Sequence, residues 1–382
     1  MTGEDDLEAA VGAVLALVAE RGPAADEARR PDPEVMGALA RSGLLRLLVP
    51  RALGGLEVPM VRFVGLIEQV ARVHPSTAWT FMTCNEEAGI ATAYLDPASI
   101  ADLYANAPHT IVAGSGVPKG RARFDGGGCW RVDGRWDFVS GCTASDRLIL
   151  SCLVADRRPA ELCFVLVPTG EVVIDDTWDT VGLRGTGSHD VVLDDHPVPD
   201  RWSGVTEPNQ ASGPDATFYR LPHRLRFPFP KVGVAVGTAR AAIDEFTALA
   251  EGKRPLFNRG TLRERPTAQV AVAEAEALVA SGRAWALEML EELWATVAAG
   301  GEVSEHLHAR CRLACSHAVS SAIAAVDLLV AEAGSTANFR SSALAGLAAD
   351  VRAVAGHFTV AAYQKATAGR HLLGLERIDP QF

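Results

Sequence analysis

Hydrophobic positions in the first hundred residues recur at helical spacing. Leu7, Val11, Val14, Leu15 and Val18 form one apolar stripe, which Gly22-Pro23 is expected to end. Pro33 suits the first turn of a second helix, with Val35, Leu39 and Leu44-Leu45 as its apolar face. The pattern repeats over 61–73 and breaks at His74-Pro75. Ser76 or Thr77 then caps a helix carrying Trp79 and Phe81.

Near Thr110 the grammar changes. Glycines cluster at 126–128 and recur at Gly134, Gly141, Gly182, Gly185 and Gly187, with short β-rich runs between them. The runs 129–132 and 136–139 flank Asp133-Gly134, a hairpin signal. Further strands are expected at 148–154, 162–167 and 191–193. Strands with no helices between them predict a small barrel or sandwich, not βαβ units. A polar connector over 203–217 leads to helical patterns at 232–251, 267–299, 304–333 and 344–373, rich in Ala, Leu and Glu. The expected fold is mostly α with a central β domain, divided at 1–108, 109–215 and 216–382.

Composition narrows the class. The 382 residues are 48% hydrophobic and 22% charged, enough to bury a large core and too apolar for a disordered chain. The net charge of −11 argues against nucleic acid or an anionic membrane as the main partner. An acidic start, Glu4-Asp5-Asp6, is unlike a signal peptide, and no apolar run is expected to span a bilayer. Seven scattered cysteines do not make a disulfide framework. A soluble, cytoplasmic globular protein is expected.

Several motifs carry no chemistry. Gly114-Ser115-Gly116 with Gly120 misses the dinucleotide fingerprint in both spacing and context. P-loop and G-x-S-x-G signatures are absent from the chain. His308, Cys311 and Cys315 share one helix face, where free thiols pack as small hydrophobes, so no metal site is expected. The densest phrase is 178–190, Trp178-Asp179-Thr180-Val181-Gly182-Leu183-Arg184-Gly185-Thr186-Gly187-Ser188-His189-Asp190. Its glycines fit either a close approach to a flat ligand or a plain tight turn.

That phrase resembles the W-x-T-x-G-[LM]-[RK]-x-T-x-S segment in the β domain of the acyl-CoA dehydrogenase superfamily. Gly114 to Pro118, followed by Val132 to Cys142, resembles the "GS-x-x-P … VSGRWxFxSG" pattern of its two-component, flavin-dependent monooxygenase branch. Ala333-Gly334-Ser335, Asp350-Val351-Arg352, His357 and Ala368-Gly369-Arg370 are similar to that branch's tail, although Gly346, Ala348 and Ala349 replace its basic residues. The resemblance implies an N-terminal helical domain, a middle β-barrel or sandwich and a C-terminal four-helix bundle, assembled as a homotetramer. It also implies reduced flavin (FMN or FAD) from a separate NAD(P)H:flavin reductase, bound between the β domain and the C-terminal helices, with O2 as cosubstrate reacting through a flavin C4a-hydroperoxide.

Residue by residue, the resemblance places Phe138 and Ser140 against the flavin ring and its N5 edge, with Gly114 and Ser115 on the flanking strand. Arg254, Phe257 and Gln269 would reach flavin phosphates, and Gly334 and Ser335 the dinucleotide tail. His357 matches the branch's catalytic histidine, and the stripe of Leu344, Leu347, Val351, Val354 and Phe358 is expected to turn it inward. Near neutral pH such a ring can take a phenolic proton. Trp79, Phe81, Phe227 and Phe229 are candidate pocket walls, or else ordinary core.

The expected activity is hydroxylation of an aromatic or phenolic small molecule, including polycyclic secondary metabolites. N-oxygenation of an amine or amino sugar, acyl-CoA dehydrogenation or oxidation with a non-standard base, and a non-catalytic scaffold are the rival readings. Dehydrogenation needs a carboxylate, and neither 352–358 nor 224–230 holds one.

Overall fold

The apolar stripe that begins at Leu7 does not stop at Gly22-Pro23. In the computed structural model, which describes residues 4–155, 157, 160–206, 213–256 and 260–375, α1 runs Glu4–Ala28 with Pro23 inside it. An interior proline costs about 3 kcal/mol, and tertiary bonds offset it. Asp26 in the last turn accepts the Gly185 amide at 2.7 Å, and Ala25 stays buried on the same stripe. In α2 (Pro33–Arg41), Asp32 caps the amides of Glu34 and Val35. α3 is Met60–Val73 and α4 is Pro75–Tyr94. The α4 cap is neither Ser76 nor Thr77 but the His74 ring, whose Nδ1 accepts the Thr77 amide at 3.3 Å. α5 (Pro97–Asn106) starts on Asp96.

The chain packs as two units, one of residues 1–59, 79–179 and 184–223, the other of 60–78, 180–183 and 224–382. The first holds β1 (Val112–Phe124), β2 (Cys129–Val139), β3 (Arg147–Val154), β4 (Leu162–Pro168), β5 (Val173–Asp175), β6 (His189–Pro199) and β7 (Ser203–Thr206). They form a single sheet in the order β5-β6-β2-β1-β3-β4-β7, with β1 and β3 parallel and the other pairs antiparallel. The expected barrel or sandwich is thus one mixed sheet whose order ends at β5 and β7. β7 occupies the start of the expected connector.

Asp133-Gly134 is not a hairpin turn but the interior of β2. A Cβ on Gly134 would stand 2.6 Å from the Trp136 ring, so the glycine makes room for a fully buried indole that donates to the Ser151 carbonyl at 2.7 Å. The turn lies earlier, where Asp125 accepts the amides of Gly127 and Cys129. Those two N–H groups hold its carboxyl below the usual carboxylate range. The short α6 (Thr217–Arg220) closes this unit's helical side, where Tyr219 donates to the Leu48 carbonyl at 3.0 Å.

The second unit is helical. After α7 (His223–Arg226) come α8 (Pro228–Gly252), α9 (Pro266–Ala298), α10 (Glu305–Ala333), α11 (Ala343–Ala355) and α12 (Gln364–Leu372). α8 packs on α3 at backbone distance, because a Cβ on Gly237 would lie 2.4 Å from the Glu68 carbonyl oxygen. α10 packs against α8, α9, α11 and α12. Contrary to expectation, the stretch 305–338 is long and apolar enough to cross a bilayer, the one such stretch among the described residues. More than half of its most apolar window is buried inside the fold, as befits a helix covered on several sides.

The helix expected over 344–373 breaks after Ala355. Tyr363 and Gln364 donate to the Phe358 carbonyl at 3.1 and 2.7 Å, taking an acceptor that a continued helix would need. His357 therefore sits in a turn. Phe358, expected on the apolar stripe, is 50% exposed.

Candidate active site

In the first unit, two neighbouring strands bulge. Pairing of β1 with β3 jumps from Ser115–Leu150 to Gly120–Cys152, which leaves 116–119 exposed. Pairing of β2 with β6 jumps from Trp136–Val191 to Val139–His189, an extra residue that re-aims the side chains of β2. Lys119 on one bulge pairs with Asp137 on the other. Phe138 follows with φ +59°, a conformation costing a bulky residue about 1–3 kcal/mol, and is 67% exposed. Its ring meets Trp178 edge-on at 6.0 Å, and Arg29 holds that residue through the Trp178 carbonyl at 3.0 Å.

Two residues after Phe138, Ser140 joins a buried polar chain. Trp79 Nε1 donates to Ser140 Oγ at 3.0 Å, Ser140 Oγ lies 2.7 Å from Ser188 Oγ, and Ser188 Oγ lies 2.7 Å from Thr186 Oγ1. All four side chains are buried. Gly114 and Ser115, half-buried, stand on β1 opposite Ile149 and Leu150. Thr186 and Ser188 belong to the glycine-rich phrase, but their roles were hidden because hydroxyl partners are set by tertiary register.

In the second unit, the Leu183 amide donates to Asp350 Oδ1 at 2.6 Å. Arg254 follows the end of α8 and is exposed. Its neighbour Lys253 donates to the Ala333 carbonyl and, at 2.6 Å, to Thr336, on either side of Gly334 and Ser335. Gln269 is exposed and donates to the Arg263 carbonyl at 3.1 Å, while Phe257 lies outside the described residues. Phe229 in this unit and Phe81 in the first are each only 1% exposed and pack as core. Phe227 is half-buried, with the Lys231 ammonium 5.6 Å from its ring centre.

His357 is half-buried and stacks on Phe358 at 4.7 Å. Its Nδ1 lies 2.8 Å from Thr359 Oγ1. Burial, then the charge of Lys231, hold its pKa well below the ordinary histidine value. Buried Lys231 escaped the sequence reading, although a lone cation within Pro228-Phe229-Pro230-Lys231-Val232-Gly233-Val234 was the available signal. Cys311, Cys315 and His308 are buried on α10, and burial pushes the Cys311 thiol up to about 12.

A helical block, a mixed sheet and a helical bundle in this order along the chain define a flavoenzyme fold of the acyl-CoA dehydrogenase type. Residues 4–95 match the acyl-CoA dehydrogenase N-terminal domain and 231–362 its C-terminal domain. The chain is 34% identical over 338 residues to an indole-3-acetate monooxygenase of Pseudomonas putida, covering 87% of this chain and 84% of that protein. It is 30% identical to the flavin-dependent monooxygenase oxygenase subunit HsaA of Rhodococcus jostii, covering 85% and 87%. A solved 3-HSA hydroxylase from Rhodococcus sp. RHA1 superposes with a TM-score of 0.87 at 27% identity, covering 98% of each chain. The chain belongs to the flavin-dependent monooxygenases of the acyl-CoA dehydrogenase superfamily.

Proposed function

We propose that this chain is the oxygenase component of a two-component system that hydroxylates an aromatic or phenolic small molecule. Reduced FMN or FAD would come from a separate NAD(P)H:flavin reductase. The observation that carries the reading is Phe138, strained and exposed, beside the buried Trp79–Ser140–Ser188–Thr186 chain. An apolar ring edge next to ordered hydroxyls suits a flat heterocycle with one polar edge, so these residues fit the flavin of the family. In the first unit, Phe138 and Ser140 would hold a flavin ring and Gly114 and Ser115 would flank it; in the second, taken by itself, Arg254 and the Gly334-Ser335 turn suit a phosphate. Phe257 and Gln269 complete that phosphate set in the proposal.

Bound reduced flavin supplies the electrons that activate O2, placing one oxygen atom in the substrate and the other in water. The protein's own part is to bind, to exclude water and to manage one proton. Trp79 in the first unit and Phe227 in the second are each proposed as substrate contacts, while Phe81 and Phe229 pack as core within their own units. His357, kept neutral, would meet the substrate's ionisable oxygen. The aromatic substrate named for the Pseudomonas putida relative supports this class over amine N-oxygenation. The absence of a carboxylate at 352–358 and 224–230 speaks against acyl-CoA dehydrogenation.

Assembly into a homotetramer is carried over from the family resemblance, and sedimentation would test it. Dependence on an NAD(P)H-driven reductase goes with a cytoplasmic location. The direct test supplies chemically reduced flavin, 18O2 and a panel of phenols and indoles. Product carrying one 18O atom is expected. Unlabelled product throughout, or bleaching of oxidised flavin by an acyl-CoA without reductant, overturns the reading.

A further inference from the structure

We infer that the first unit carries a second ligand site, apart from the candidate active site, that takes a small aromatic carboxylate. The site is a cleft of about 340 Å3 between the ends of β4 and β6, and it is independent of the proposed hydroxylation.

The cleft follows from the curl of the sheet. β4 and β6 are not neighbours in the strand order, yet they approach each other. Pro168 at the end of β4, with Pro197 and Pro199 on β6, lines the gap. A proline has no N–H to donate, so these positions do not zip the seam shut by pairing, and they give it apolar walls. His189, at the other end of β6, pairs with Val139 beside Ser140, whereas His196 in the cleft pairs with Val132. At the rise of an extended strand, the cleft lies roughly 20 Å along β6 from the Ser140 end.

Two residues give the cleft its chemistry. The indole of Trp202, half-buried, has the Arg147 and Arg201 guanidinium carbons 5.2 and 4.8 Å from its ring centre. Arg201 also pairs with Asp102 at 3.3 Å. Arg147, which opens β3 opposite Pro168, has no hydrogen-bonding or ion-pair partner for its guanidinium among the described residues. An arginine steadied by an indole presents a planar fork of N–H groups that matches a carboxylate.

The remaining charged groups of the cleft face each other, His196 Nε2 lying 3.1 Å from Glu171 Oε2. Arg147 is therefore the cation of the cleft that no carboxylate already meets. Apolar walls on both strands around one cation suit a flat apolar body with one anionic end. Inorganic phosphate, polar on every side, would leave the prolines and the indole without a partner.

The test is 19F NMR of the full chain labelled with fluorotryptophan, with Trp202→Phe assigning the Trp202 signal. Titrated with phenylacetate, that signal should shift saturably, with a Kd of about 1 mM or tighter. Phenylacetamide, acetate and inorganic phosphate should each bind roughly fivefold more weakly or worse, the first lacking the charge and the other two the ring. Arg147→Ala should weaken phenylacetate about tenfold and leave phenylacetamide unchanged, as expected for a lost charge-assisted contact, and Arg147→Lys should recover part. An unmoved Trp202 signal at about 10 mM probe, a shift confined to other tryptophans, equal binding of acid and amide, or wild-type binding by Arg147→Ala overturns the inference. The comparison of acid with amide on wild type decides the recognition of charge even if Arg147→Ala does not fold. Because the readout needs neither flavin nor turnover, its failure leaves the proposed hydroxylation standing.

Discussion

Leu183 and Asp350, 167 residues apart in sequence, are joined by a 2.6 Å hydrogen bond from amide to carboxylate. The bond fastens the middle of the glycine-rich phrase to α11 and holds Leu183 at φ +51°, a conformation that disfavours any residue with a Cβ. Asp350→Ala should lower stability by about 1–3 kcal/mol, the cost of leaving a buried donor unmet. Asp350→Asn keeps an acceptor and should lose less. Urea denaturation of the three proteins checks the order, and equal stabilities would remove the proposed clamp.

Gly182 reports the same contact from the other side. A Cβ there would stand 2.3 Å from the Ala349 carbonyl oxygen, and neither backbone can yield cheaply. Gly182→Ala should cost about 1–3 kcal/mol through overpacking. Combined with Asp350→Ala, the loss should be less than additive, since both substitutions release one interface.

The helix–strand–helix order was legible because apolar period and glycine spacing are local signals. What the chain keeps from a sequence reader is tertiary. Pro23 reads as a stop until Asp26 is seen to hold Gly185, and Gly134 reads as a turn until the Trp136 indole is seen to lie over it. The bundle's last helix reads as continuous until Tyr363 and Gln364 take the Phe358 carbonyl. At the candidate site, the motif marked Ser140 and His357 by position. The motif also ends on Ser188, but that Ser188 meets Ser140, and that Thr359 meets His357, only geometry reveals.

Ser140→Ala removes the acceptor used by Trp79 Nε1 and shortens the hydroxyl chain. Flavin affinity should fall roughly three- to tenfold, the worth of one hydrogen bond, as read by quenching of flavin fluorescence. Tryptophan emission should also shift in the flavin-free protein. Wild-type affinity in the variant would take Ser140 out of the binding set.

Arg254 is predicted to select for phosphate. Wild type should bind FMN more tightly than riboflavin, and Arg254→Ala should erase about tenfold of that preference, near the lower end for a charge-assisted contact. Riboflavin binding should hardly change. Arg254→Lys should recover only part, because a lysine loses the bidentate fork. Equal losses for both flavins would mean that Arg254 acts on the fold and not on the phosphate.

The depressed pKa of His357 makes a signed prediction about stability. In the unfolded chain this ring takes up a proton near its ordinary value of 6.5, whereas the folded ring does so only well below. Between those two values the unfolded state binds more protons, so stability rises with pH across the window and is fully present above 6.5. One such group sets a slope of at most about 1.4 kcal/mol per pH unit. His317, whose pKa burial and Lys365 also lower, contributes with the same sign, so the wild-type profile alone does not isolate His357. The comparison with His357→Gln does. The stability difference, wild type minus variant, should shrink as pH falls from about 7.5 to about 5.5, because only wild type must keep this imidazole neutral. Urea titrations at those two values measure it, and a difference that grows on acidification would mean that the folded ring welcomes the proton instead of resisting it.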